Sequence, residues 1–308
     1  MSCFLAMFKR NVKLFFKDKG LFFTSLITPL ILLVLFVSFL GNVYRDSFDQ
    51  IFTALNFSVE DSIIQALVSG QLLSSLLAVS CVTVSFCSNM LMVQDKVNGV
   101  RKDLLITPVK RSTLAFSYYF ASLASTLIVC YTALLACFIY VAIVGWYFTF
   151  LDVLSLVLDV FILVTFGTAL SSVINYFLSS QGQISAVGSI VSSCYGFICG
   201  AYMPLSSFSE GLRNVIMFLP GTYATSLIRN HSMQGVFNGM AEYLPEQAIE
   251  AIKDSIDCNI YFFGQQVSLG VSYLITAGSA ILLVAVYVLI NVISAKRKKV
   301  KTDKKRGE

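Results

Sequence analysis

The chain has 308 residues, 56% hydrophobic and only 13% charged, with a formal net charge of +5 and a mean hydropathy of +0.78. A soluble domain carries about 25% charged residues, so this composition excludes a water-soluble enzyme. Long uncharged runs of Leu, Val, Ile and Phe specify an all-α polytopic membrane protein instead, since a β-barrel would alternate over segments of about 10 residues.

The first 20 residues set Phe4, Leu5, Phe8, Val12, Phe15 and Phe16 at helical spacing, with lysines and Arg10 between them. A cleavable signal places its charges ahead of one apolar stretch. This pattern predicts an uncleaved amphipathic helix lying in the inner interface. Six apolar spans follow, at 21–41, 71–93, 114–145, 151–178, 183–203 and 267–295. Each has about 20 residues or more, enough to cross a hydrocarbon core of about 30 Å. The third and fourth form a hairpin through the aromatic turn 146–150, and an equally tight turn at 179–182 leads to the fifth.

Basic residues orient the spans. Lys9, Arg10, Lys13, Lys17 and Lys19 precede the first; Lys96, Arg101, Lys102, Lys110 and Arg111 lie between the second and third; a tail from Lys296 to Arg306 follows the last. Most of the 22 Lys and Arg therefore share one side, which the positive-inside rule makes cytoplasmic, with both termini there and the chain multi-pass in the cell membrane. On the other side, 42–70 has room for a short helix. The segment 204–266 begins strangely apolar, which predicts short helices at 208–219 and 223–230 dipping back around Pro220 and Gly221, because backbone at membrane depth must satisfy its own polar groups. Residues 238–257 are acidic and read as an exposed helical cap.

Cys81, Cys87, Cys130, Cys137, Cys194 and Cys199 lie in apolar runs, where a thiol is a small hydrophobe, so the eight cysteines form no disulfide framework. Cys258 stands alone in a polar stretch, open to a bridge across a homodimer or to remaining a free outer thiol. With one histidine, His231, and no Cys-x-x-Cys or His-x-x-x-His, a dedicated metal site is not expected.

The informative loop runs from Gln94 to Arg111. Residues 95–106 can form a short amphipathic helix with Val100, Leu104 and Leu105 on one face. Thr107 can then cap the next helix, with Pro108 at its first position. This loop resembles that of ABC-2 type transporter permeases, the membrane subunits of type V ABC exporters: an acidic residue, a glycine four on, a Leu-Leu pair, then Thr-Pro and a basic residue, matched by Asp95, Gly99, Leu104, Leu105, Thr107, Pro108 and Arg111. A second match is Met203 and Pro204, then Gly211, Leu212 and Arg213, then Leu219, Pro220, Gly221, Thr222 and Tyr223, ending in Leu227, Ile228 and Arg229; it is similar to the family's re-entrant segment before the last span. The family often has Glu at the Asp95 position and acidic or amide residues near Lys102, which points to a nucleotide-domain contact tuned to a particular partner.

The resemblance implies one ABC-2 transmembrane domain over 1–308, with 95–106 as the coupling helix and Asp95, Gly99, Arg101, Lys102, Leu104, Leu105, Thr107 and Pro108 as its ATPase-coupling residues. No phosphate loop is present; the lookalike from Gly182 to Ser189 lacks its lysine. ATP and Mg would therefore be bound by a separate ATPase subunit, with no cofactor and no catalysis in this chain. A second permease subunit, as homodimer or heterodimer, would complete the assembly in a prokaryotic membrane, among membrane lipids and without nucleic acid.

Ser75, Thr83 and Asn89 in the second span and Ser189 and Ser193 in the fifth are either ordinary glue between membrane helices or part of a translocation path at the subunit interface. Asp159, about 12 Å down the fourth span, either faces the protein or water or snorkels outward. No fixed positive cluster sits in the spans to hold a phosphate. The expected cargo is thus an amphipathic drug, antibiotic, peptide or lipid, as in multidrug export. The alternatives are a polysaccharide or teichoic-acid-type polymer and, in another class, ion-gradient-driven secondary transport with Asp159 as a relay.

Overall fold

The computed structural model describes residues 3–54, 57, 59–107 and 109–304. The first helix, α1 (Cys3–Lys17), ends where Asp18 caps the next by accepting the Leu21 N–H at 3.1 Å. Its inward face is Met7, Asn11 and Phe15, whereas Leu5 and Phe16 of the expected apolar stripe point outward. Helix α2 (Lys19–Leu35) carries Pro29 and passes through a π-helical turn (Phe36–Leu40) into α3 (Gly41–Ala54). Then come α4 (Asp61–Val97), α5 (Val100–Ile106), α6 (Arg111–Val144), α7 (Phe150–Phe177) and α8 (Gln181–Ile198). A 3-10 turn (Leu205–Ser207) leads to α9 (Glu210–Ile216), α10 (Pro220–Met240), α11 (Glu246–Ser255), the hairpin β1 (Ile260–Phe262) and β2 (Gln265–Val267), and finally α12 (Leu269–Lys304).

Five of these are long and apolar enough to cross a membrane: Lys19–Thr53, Asp61–Val97, Arg111–Val144, Phe150–Phe177 and Leu269–Ile293. The architecture is all-α and polytopic. Helix α4 is its pillar, packed against α2, α6, α7, α8 and α10 and buried along nearly its whole apolar length. Large apolar side chains face outward on the surrounding helices, such as Ile27 and Leu30 on α2, Leu135 on α6 and Ile281 on α12. Polar side chains of α4 face inward. Where lipid replaces water, that inversion costs nothing outside and supplies hydrogen bonds inside. Gly167 permits a close crossing of α7 over α4: a Cβ there would stand 3.2 Å from the Cys81 carbonyl oxygen and the Val82 Cα of α4.

The expected fifth span, 183–203, is the shorter α8, which stops at Ile198 and turns through Gly200 in the left-handed region. Its level is set at both ends by α4. Lys96 Nζ donates to Tyr176 O at 3.1 Å and Leu178 O at 2.6 Å, holding the end of α7, and Ser75 Oγ donates to Ala201 O at 2.7 Å. Between Lys96 and Ser75 the helix rises about 31 Å at 1.5 Å per residue, and residues 179–201 travel that distance.

The segment after α8 departs most from expectation. In place of helices at 208–219 and 223–230, α9 has 7 residues and α10 has 21. Pro220 at the first position starts α10 without losing a hydrogen bond. The helix continues past Asn230 because Met233, Val236, Phe237 and Met240 bury one side, although the intervening polar residues make the stretch read as a loop. Val267, expected to open the last span, belongs to β2 and pairs with Ile260; Phe263 and Gly264 turn the hairpin at positive φ.

Candidate functional site

The connection from α4 to α6 is two helices rather than the expected single one. Helix α4 runs through Asp95 to Val97; Gly99 then takes φ +82°, and α5 begins at Val100. A Cβ at Gly99 would meet nothing within 4 Å, so glycine is needed for the left-handed backbone and not for close approach. Asp95 is not on the free surface. It is buried, accepts Arg10 Nη1 at 2.7 Å, Arg10 Nη2 at 3.2 Å and the Tyr118 hydroxyl at 2.5 Å, and so ties α1, α4 and α6 together. The bonds from Asp95, opposed by partial burial, raise the pKa of the Arg10 guanidinium and keep it charged.

Leu104 and Leu105 are rooted in the same end of the bundle, packed with Val109 on Met7, Met92, Leu114 and Tyr118. The free face of α5 is Lys102, Asp103 and Ile106, the last 85% exposed, with Val97 beside it; Arg101 is half-buried. Thr107 does not cap α6. Its hydroxyl donates back to Leu104 O at 2.6 Å, closing α5, and α6 starts at Arg111 with Lys110 as its N-cap residue. Pro108 lies outside the described residues.

The polar residues of α4 make helix-to-helix bonds. Asn89 Nδ2 donates to Ser171 Oγ at 3.0 Å and Ser172 Oγ at 2.7 Å, and Ser88 meets Thr126 at 2.8 Å. Thr83 bonds Val79 O of its own helix, and Ser75 holds Ala201. Ser75, Thr83 and Asn89 are therefore sealed inside the subunit, whereas Ser189 and Ser193 are exposed on α8. Asp159 does not snorkel. Its side chain is 1% exposed, with His231 Nδ1 at 2.6 Å from Oδ2 and the Tyr273 hydroxyl donating to Oδ1 at 2.5 Å, so that α7, α10 and α12 meet on one carboxylate. Sequence reading named Asp159 without its partners, because a lone His 72 positions away gives no spacing signal.

Pro204 precedes the 3-10 turn, Leu219 and Pro220 open α10, and Gly221 packs against Tyr195 of α8. The anchor of this region is Arg229, 1% exposed and unremarked beyond its place in the motif. Its guanidinium donates to Ile256 O at 2.6 Å and Gly200 O at 2.7 Å, with Asp257 Oδ2 3.6 Å away; Asp257 in turn accepts the Leu205 N–H at 2.8 Å. Burial pushes the Asp257 carboxyl up to about 6 against the opposing pull of Arg229 and that N–H. Ser226 and Asn230 both donate to Cys258 O. Cys258 is consequently a buried thiol, pushed up to about 12 by burial, and cannot reach across a dimer as an outer-loop cysteine would. All eight cysteines are free, and no cluster of three or more metal-ligating side chains occurs among the described residues.

No curated protein matched the chain. The family pattern of the ABC-2 type transporter matches residues 2–231, which takes in every helix from α1 to α9 and the first half of α10. An all-α bundle with five helices fit to span a membrane agrees with that match, and the chain belongs to the ABC-2 type transporter family, a membrane transport component that is not itself an ATPase.

Proposed function

We propose that the chain is the permease subunit of an ATP-driven exporter of amphipathic molecules (drug, antibiotic, peptide or lipid) in a prokaryotic cell membrane. It works with a second permease subunit and two copies of a separate ATPase that binds ATP and Mg. The carrying observation is α5: a helix rooted through Leu104 and Leu105 in the bundle, with Ile106 fully presented beside Lys102 and Asp103. An exposed apolar residue ringed by charges fits a partner surface, and its rigid roots in α4 and α6 suit force transmission. Residues 179–201 climb about 31 Å along α4, which supports α8 as a sixth crossing and both termini on the cytoplasmic side with the basic residues.

The test compares Ile106→Asp with wild type for recovery of the ATPase encoded nearby and for substrate-stimulated ATP hydrolysis in proteoliposomes. Ile106→Asp should lose both while inserting and melting normally. Leu104→Asp, half-buried in its own subunit, should weaken the fold as well. Equal ATPase recovery with Ile106→Asp would overturn the docking role. The buried Asp159–His231 pair favours one second reading, ion-coupled transport, which predicts uptake or efflux in vesicles without ATP.

A further inference from the structure

A trough of about 450 Å³ opens between α2, α4 and α6, walled almost entirely by apolar side chains such as Leu26, Leu30, Leu73 and Val129. Beside it lies a second chamber of about 390 Å³ that shares Ser69 and Tyr140 with the trough, so the two adjoin. The second chamber is more polar than the trough, with Asn42, Arg45 and Gln65 on its wall beside Phe36, Ile64 and Val68. Both volumes fall in the range of about 300–1,000 Å³ typical of small-molecule sites. From Ile128 in the trough to Val144 in the chamber, α6 rises about 24 Å, longer than the roughly 15 Å hydrocarbon depth of one leaflet.

The charges at the mouth select the occupant. Arg45 Nη2 lies 2.9 Å from Asp61 Oδ1, and both side chains are accessible. Around this single cation stand the exposed or half-exposed carboxylates Asp46, Asp49 and Glu60. An anionic headgroup would meet repulsion from that excess. A headgroup carrying a phosphate for Arg45 and an ammonium for Asp61 would be matched on both charges. We propose that the trough and chamber form a binding site for a zwitterionic phospholipid, with one acyl chain between α2 and α6 and the headgroup exchanging charges with the Arg45–Asp61 pair at the mouth.

The site lies inside one subunit and stands whether or not the exported substrate has been read correctly. The probes are phosphatidylethanolamine and phosphatidylglycerol with identical acyl chains, titrated onto the delipidated full chain in mild detergent and counted by native mass spectrometry. Wild type should retain one phosphatidylethanolamine with about tenfold preference, the factor that 1.4 kcal/mol of headgroup discrimination gives. Ala133→Trp, which fills the trough, should lose retention, whereas Leu282→Trp on the outer face of α12 should keep it. Asp61→Ala, at an accessible side chain in the first turn of α4, removes the carboxylate that meets the ammonium and should reduce the preference to within about twofold, and it tests the site even where the tryptophan variant folds poorly. Equal retention of the two lipids by wild type, or an unchanged preference in Asp61→Ala, would overturn the proposal. Retention by Ala133→Trp equal to wild type would overturn it too. Transport assays with the ATPase are a separate readout, so loss of export with lipid binding intact would fault the functional reading and leave this site standing.

Discussion

Asp95 separates two accounts of the α4–α6 connection, since it occupies the acidic position of the family motif yet points into the bundle. Replacing it with Asn keeps the volume and one acceptor oxygen but removes the charge that holds two Arg10 nitrogens and the Tyr118 hydroxyl. Removing one partner of a buried ion pair costs about 3–5 kcal/mol. The Arg10 side chain is 28% exposed and can be partly rehydrated, which brings the cost to about 2–3 kcal/mol. That shifts the docking equilibrium of α1 by about 30- to 150-fold. The assay is maleimide labelling of Met7→Cys, a buried position on α1, in a background lacking the exposed Cys3 and Cys194. Labelling should accelerate by that factor in Asp95→Asn, while ATPase recovery falls less than in Ile106→Asp. Unchanged labelling together with complete loss of the ATPase would refute the clamp and return Asp95 to the docking surface.

Arg229→Met should destabilise the outer segment by about 3–5 kcal/mol, read as a fall in melting temperature. Its sign with pH follows from Asp257: a carboxyl held above its unfolded value contributes stability that is fully present below that value and lost as pH rises through the folded one. Without Arg229 the carboxyl rises above about 6, so the defect should be smaller at pH 5 than at pH 8. Asn89→Ala removes the amide that donates to the Ser171 and Ser172 hydroxyls and should cost about 1–2 kcal/mol in thermal unfolding, with little effect on substrate-dependent ATPase stimulation; loss of stimulation at full stability would put Asn89 on the path. Cys258 should resist maleimide at pH 7.5 and form no cross-linked dimer under oxidant until the protein unfolds, as its burial and raised pKa require; prompt labelling of native protein would contradict the packing around Ser226 and Asn230.

The membrane class was plain in the sequence because lipid leaves little choice: a spanning segment must be apolar along about 20 residues, and the runs around Leu163, Leu135 and Ile281 are. The same uniformity hides rotation. In α4 nothing in the order of Ser75, Thr83, Ser88 and Asn89 tells a groove from a seam, since both want small hydroxylated residues facing away from lipid. The positions of Thr126, Ser171 and Ser172 on α6 and α7 show which neighbours Ser88 and Asn89 bond. On α1 the apolar stripe read from Phe4 to Phe16 is split: Phe15 is buried with Met7 and Asn11 while Leu5 and Phe16 are exposed, and Arg10 beside Asn11 binds Asp95.

Long-range polar contacts escaped the sequence for a related reason. Arg229, His231 and Asp257 look like solvent-side charges, and membrane rules assign such residues to loops. Burial is made tolerable by partners that lie far off in the chain: Gly200 O for Arg229, the Leu205 N–H for Asp257, Asp159 for His231. Arg229 and His231 join α10 to the turn after α8 and to α7, and Asp257 ties the loop after α11 to the 3-10 turn. The segment 204–268 is therefore fastened to the bundle by charge and hydrogen bonds as well as by the apolar side of α10. Helix α4 touches both ends, with Asp95 at one and Ser75 and Gly70 at the other, so it joins the root of α5 to the outer segment through one continuous helix.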